Sequence, residues 1–161
     1  MTINDQRMKI DQQAFDRRFR ELFTAMVEIA FEYVGRNKKE VDEVYVFGTM
    51  GVRGYYFNTC YRINGKMVET HEVNDVSVMK YPDLDERSYA MSMQGIDYLE
   101  ETEQLFKDSD QKPPTLMKMV YHPKTGAFNN ELDYELVSSD LNKTMNMFFE
   151  DWYVELGGKL S

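Results

Sequence analysis

Residues 52–73 read VRGYYFNTCYRINGKMVETHEV, and their pattern predicts a β-hairpin. Apolar and polar side chains alternate from Val52 to Ile63, which is the period of a β-strand. Asn64-Gly65 follows, and this dipeptide favours the positive φ angles of a two-residue hairpin turn. The chain is therefore expected to return antiparallel from Lys66 to Val73. One face of the first strand would carry Tyr55, Phe57, Thr59, Tyr61 and Ile63, and the other face Tyr56, Asn58, Cys60 and Arg62.

Three further stretches have the pattern of strands. Val44-Tyr45-Val46-Phe47 is β-branched and aromatic, and the glycine-rich segment 48–51 after it has turn chemistry. Thr115 to Tyr121 is extended, and the turn 122–126 leads from it into a strand from Ala127 to Leu136, which makes a second hairpin. The last strand would place Phe128, Leu132, Tyr134 and Leu136 on one face, and Asn129, Glu131, Asp133 and Glu135 on the opposite face.

Three stretches have the period of amphipathic helices. The first runs from Ile10 to Val34, the second from Leu84 to Phe106, and the third begins at a cap formed by Ser138 or Ser139. The third helix would turn Leu141, Met145, Phe148, Trp152 and Leu156 inward. The order α-βββ-α-ββ-α predicts an α+β fold with three helices and a mainly antiparallel sheet of about five strands, in one domain over residues 1–161.

Charge and cysteine content limit the classes of function. The chain has 19 lysines and arginines against 28 acids, a net charge of −9, which disfavours a nucleic-acid partner because phosphate binding depends mostly on cations. The single cysteine cannot form an internal disulfide, and Met1 to Gln13 has no signal-peptide pattern. We therefore expect a cytoplasmic protein. A membrane span needs roughly 20 apolar residues, and no stretch provides them.

Residues suited to catalysis or metal binding lack a recognisable spacing. His71, His122 and Cys60 form no H-x-x-x-H or C-x-x-C pair, and Gly48 to Gly54 lacks the ending and the helix of a phosphate loop. A Cys60/His71 pair on neighbouring strands is a minor alternative. The sequence predicts no catalytic residue, no metal site and no cofactor.

Acidic residues concentrate in two blocks, each with a net charge of −5: Asp97–Asp110, and residues 126–161. In the second block Glu131, Asp133 and Glu135 project to one side at intervals of roughly 7 Å, too far apart for all three to bind one ion. Three interpretations of these carboxylates stay open. They are a solvated face of the sheet, a site that binds a divalent cation weakly or hydrolyses a substrate, or a protein-binding surface. The candidate partner-binding residues are Glu131, Asp133, Glu135, Glu150, Asp151, Glu100, Glu101 and Glu103.

The C-terminal part of the chain resembles a known family. The segments that carry the resemblance are PTLMKMVY at 114–121, KTGAF at 124–128, LDYE at 132–135, and Trp152 in the last helix. They resemble the YezG-like family of bacterial immunity proteins. The resemblance implies a small α+β domain that binds and silences a polymorphic toxin used in bacterial competition, commonly a nuclease.

From these observations we expect a cytoplasmic immunity protein, or antitoxin, and not an enzyme. It would occlude the basic cleft of a cognate toxin stoichiometrically, because its carboxylates would lie where nucleic-acid phosphates go. Two alternatives stay open. One is a small hydrolase or ligand-binding enzyme that uses Glu131 and Asp133 with His71 or His122. The other is an acidic adaptor or chaperone of a secretion apparatus, which the twelve methionines also fit.

Overall fold

Five antiparallel strands and four helices make up the described part of the chain, residues 3–51, 54–135 and 142–161 of a computed structural model. The predicted α+β class is confirmed, although the number of helices differs from the expected three. The elements in chain order are α1 (Ile3–Tyr33), β1 (Val41–Thr49), β2 (Tyr56–Ile63), β3 (Lys66–Glu69), a 3-10 turn (Thr70–Glu72), α2 (Val73–Val76), α3 (Leu84–Asp108), β4 (Leu116–His122), β5 (Ala127–Asp133) and α4 (Met145–Glu155).

The strands follow the order β3-β2-β1-β4-β5, so β1 is the centre of the sheet and β3 and β5 are its edges. The predicted hairpin between β2 and β3 is confirmed, since Asn64 and Gly65 have φ angles of 50° and 79°. The residues of β1 from Val44 to Thr49 are all buried because helices cover both faces of the sheet.

Helices α1 and α3 cover one face of the sheet, which we call the helix-pair face. Tyr61 of β2 is fully buried there, and its hydroxyl donates to the backbone oxygen of Ala30 in α1 at 2.7 Å. The two helices also contact each other, since the rings of Phe15 and Phe106 pack edge to face with their centroids 4.9 Å apart. Because β2 alternates as predicted, Phe57, Thr59, Tyr61 and Ile63 all lie on this side.

Helix α4 covers part of the opposite face, which we call the α4 face. Its side chains pack on Tyr45, Phe47 and Cys60. The predicted inward orientation of Trp152 is confirmed, because this residue is only 7% exposed. Met145 is buried as predicted, but Phe149 and Tyr153 are buried in addition, whereas Phe148 and Leu156 are only partly buried.

Several predicted boundaries are wrong. The return strand ends at Glu69, where the 3-10 turn and the unpredicted α2 begin, so His71 lies in a turn and not in a strand. Gly48 belongs to β1 and not to a turn. A Cβ there would lie 2.7 Å from a methyl carbon of Leu99, so the close approach of α3 requires glycine at this strand position.

The remaining corrections concern where α1, β2 and α4 begin and where β5 ends. α1 begins at Ile3, earlier than predicted, and β2 begins at Tyr56, after the undescribed residues 52–53. β5 ends at Asp133, so the predicted third member of the acidic ladder, Glu135, is outside the strand. α4 begins at Met145 because Thr144 caps it, its hydroxyl accepting from the backbone N–H of Met147 at 3.1 Å. The predicted Ser138 or Ser139 cap, Leu136 and Leu141 lie outside the described residues.

Candidate functional site

The acidic edge, which we define as Glu131 and Asp133, lies on the α4 face of the sheet. Glu131 pairs in register with Lys118, and Asp133 pairs with Leu116. Leu116 belongs to the buried cluster under α4, and the Lys118 ammonium lies 5.7 Å from the centre of the Trp152 ring. Since side chains alternate along a strand, both carboxylates project to the side that carries α4.

Glu131 is the more accessible of the two carboxylates. Its side chain is exposed, and no ion pair to it is found within residues 3–51, 54–135 and 142–161. Lys118 faces Glu131 across the ladder but reaches over the Trp152 ring instead. Asp133 is half-buried, and its Oδ1 accepts the backbone N–H of Glu135 at 2.9 Å.

The two candidate residues of α4 lie on the same face of the sheet and have local partners. Asp151 forms an ion pair with Lys143, and Glu150 accepts from the side-chain amide of Asn146 at 2.7 Å. Like-charge repulsion from Glu150 contributes to a raised pKa of Glu69, for which burial is the largest cause. Glu150 therefore adds its negative potential on the β3 side of the molecule.

The three candidate residues of α3 lie on the opposite face of the sheet. Glu101 is paired with Arg18 of α1 at 2.8 Å, and Glu100 is exposed. Glu103 is 8% exposed and accepts from the Tyr55 hydroxyl at 2.5 Å, and this hydrogen bond raises the pKa of Tyr55 to about 12. The structure therefore does not bring the two acidic blocks into one surface, and Glu103 has a structural role.

The only group of three metal-ligand side chains in the described part of the chain is Glu69, His71 and Glu72. One ligand atom from each residue lies within 4.8 Å of the others, which the sequence spacing did not indicate. Glu72 accepts the backbone N–H of Glu69 at 3.0 Å, as part of a capping box that the two glutamates form around the 3-10 turn. This structural role accounts for the proximity of the two carboxylates.

Cys60 and His71 are not opposite each other on neighbouring strands, as the minor alternative of a catalytic pair assumes. The neighbour of Cys60 on β3 is Glu69, and Cys60 is completely buried under α4. Burial raises the pKa of the Cys60 thiol far above its ordinary value, so the nucleophilic thiolate is suppressed.

A pocket of about 420 Å³ lies between α1 and the β4–β5 hairpin, on the helix-pair face. Its apolar wall includes Val27, Phe31, Tyr121 and Phe128, and Phe128 is still 38% exposed. The alternation in β5 predicts that Phe128 faces the apolar side. Only the strand order, which places β5 at an edge, leaves this ring accessible.

No protein-family model matches this chain, and no curated protein matches it either. The resemblance to the YezG-like immunity proteins therefore stays a prediction. Among the described residues, none of the helices is both long and apolar enough to cross a bilayer.

Proposed function

We propose that this chain is a cytoplasmic immunity protein that binds a cognate bacterial toxin stoichiometrically and is not itself an enzyme. Its acidic edge would contact a basic cleft on the toxin, which for a nuclease is the surface that receives nucleic-acid phosphates. The resemblance of the C-terminal segments and the net charge of −9 support this function. We assign the binding to one surface, the acidic edge.

The observation that carries the proposal is the carboxylate of Glu131, which lies on an edge strand and has no ion pair with any of the described residues. Several other carboxylates are neutralised at short range and offer less to a partner. Those with a lysine or arginine nitrogen within 3.5 Å include Glu21, Glu28, Glu32, Asp42, Glu43, Glu101, Glu103 and Asp151. A charge without such a partner loses no existing ion pair when it binds a cation on another protein.

The arrangement of the histidines disfavours the hydrolase alternative. His122 lies four residues along β4 from Lys118, the register partner of Glu131, a separation of about 13 Å at the rise of a β-strand. His71 follows β3, at the other edge of the sheet. Neither imidazole lies beside the acidic edge to act with it as a general acid or base, which requires hydrogen-bonding distance.

Co-purification from the native host, followed by mass spectrometry, identifies the partner. A toxin domain recovered in a 1:1 complex supports the proposal, and so does loss of the toxin's activity in that complex. Recovery of secretion-machinery proteins without a toxin would support the adaptor alternative and contradict the proposal.

Charge reversal then tests the surface. We expect Glu131→Lys/Asp133→Lys to slow association with the partner about tenfold at low salt, with a smaller effect at high salt, because charge steering is screened. The matched control is Glu86→Lys/Asp97→Lys, an equal change of charge at exposed positions of α3 on the opposite face. Equal association rates for both variants at both salt concentrations would show that the acidic edge is only a solvated face.

A further inference from the structure

We call β5 an open edge of the sheet because, among the described residues, no strand pairs with its outer side. It spans seven residues, AFNNELD, and lies at the end of the strand order, whereas the other edge strand, β3, has only four residues. Natural edge strands are commonly protected by proline, by charged side chains, lysine above all, or by covering segments. β5 contains neither proline nor lysine, and Ala127, Phe128, Asn129 and Glu131 are exposed.

The direction of the backbone groups in β5 follows from its contact with the segment before β4. The backbone oxygen of Asp133 accepts the N–H of Thr115 at 2.7 Å, so Asp133 directs its carbonyl toward the β4 side. Backbone groups along a strand in an antiparallel ladder point alternately to one neighbour and to the other. The N–H and C=O groups of Phe128, Asn130 and Leu132 therefore face the open edge.

The two sides of this edge differ in chemistry. On the helix-pair face, the Phe128 ring stacks on Phe23 at 5.2 Å and forms part of the wall of the pocket of about 420 Å³. On the α4 face, the carboxylate of Glu131 projects without an ion pair among the residues described. A strand added to β5 would place alternate side chains against these two surfaces, because its own side chains also alternate.

We propose that β5 binds an extended segment of the partner as a sixth strand, and that apolar and basic side chains alternate in this segment. The apolar side chains would contact Phe128 and its pocket, and the lysine or arginine side chains would approach Glu131. Backbone hydrogen bonds to the open edge would supply affinity, and the two kinds of side chain would supply specificity. The inference deepens the proposed function and rests on it for the identity of the partner.

The first test uses two labelled, end-blocked nonapeptides, one with alternating lysine and valine and the other with alternating glutamate and valine. Fluorescence anisotropy measures their binding to the full chain. We expect the lysine–valine peptide to bind and the glutamate–valine peptide to bind about tenfold more weakly. Equal binding of the two peptides, or no binding of either, would overturn the inference.

A pair of variants at one position isolates the backbone contribution. Phe128→Ala removes the ring but keeps the outward N–H, whereas Phe128→Pro removes both, and proline is tolerated where an edge strand faces solvent. We expect the proline variant to bind the lysine–valine peptide about tenfold more weakly than the alanine variant does, because it lacks one backbone hydrogen bond to the peptide. Equal affinities would overturn the inference.

Hydrogen exchange in the unaltered protein keeps the test independent of how these variants fold. The amides of Phe128, Asn130 and Leu132 should exchange fast in the free protein and slowly in the peptide complex. Unchanged exchange rates at all three amides would contradict strand addition at β5.

Two further outcomes separate this inference from the proposed function. Self-association of the wild type that Phe128→Pro abolishes, measured by sedimentation equilibrium, would make a second copy of the chain the occupant and overturn the assignment. If the co-purified toxin binds Phe128→Pro and Phe128→Ala equally well, the inference fails and the immunity function stands.

Discussion

Replacement of Trp152 by alanine tests whether α4 is part of the core or a detachable contact element. The indole is 7% exposed, and its ring centroid lies 5.7 Å from that of Tyr45 and 6.0 Å from that of Phe47. An indole buries about 200 Å², which at about 25 cal/mol per Å² corresponds to about 5 kcal/mol. Because a site at the helix–sheet boundary relaxes in part, we expect Trp152→Ala to lower the free energy of unfolding by about 3–5 kcal/mol.

Urea unfolding followed by far-UV circular dichroism measures this loss. With a urea dependence of about 2 kcal/mol per molar, the unfolding midpoint should fall by about 2 M. Asp151→Ala is the matched control, because Asp151 is the neighbour of Trp152 in the chain and its carboxylate is exposed. Removal of this carboxylate should change the free energy of unfolding by about 0.5 kcal/mol or less. A Trp152→Ala protein that unfolds at the parent midpoint but no longer binds the partner would refute the reasoning, because Trp152 would then be a contact residue.

Two further predictions concern packing and pH. Gly95→Ala should destabilise the protein by about 1–3 kcal/mol, although alanine favours helices, because the added Cβ would lie 2.3 Å from the ring of Phe57. Thermal denaturation measures this effect, and a raised melting temperature would contradict the close packing of α3 on β2. Hydrogen bonds from the backbone N–H of Val78 and from neighbouring donors hold the pKa of Glu40 at about 2, below its ordinary 4.5. A carboxyl with a lowered pKa stabilises the folded state above its ordinary pKa and loses this effect as the pH falls toward 2, so the stability advantage of wild type over Glu40→Gln should shrink between pH 5 and pH 2. An advantage that stays constant over this range, in urea unfolding at each pH, would show that Glu40 does not stabilise the folded state through its charge.

The elements that the sequence predicts well are those whose signals are local. The alternation in β2, the Asn64-Gly65 turn and the inward position of Trp152 all depend on residues a few positions apart, and the structure confirms them. The acidic residues at Glu131 and Asp133 likewise project to one side, as the period of a strand requires.

The elements that the sequence predicts poorly depend on residues far apart in the chain. Glu103 belongs to an acidic block by composition, but Tyr55 hydrogen-bonds to it and the fold buries it. Gly48 has the composition of a turn, and only the approach of Leu99 keeps it within β1. Both outcomes follow from long-range packing, which overrides local propensity.

Periodicity and charge are properties of neighbouring residues, so the α+β class, the faces of the strands and the strongly acidic C-terminal block could all be predicted before the structure was known. Strand order and helix packing, in contrast, set which acids share a face and which carboxylates have cations beside them, and they place β5 at an edge with Phe128 and Glu131 on its two sides. Strand order has no short-range signal, since it depends on which distant segments exclude the most apolar surface from water when they pair.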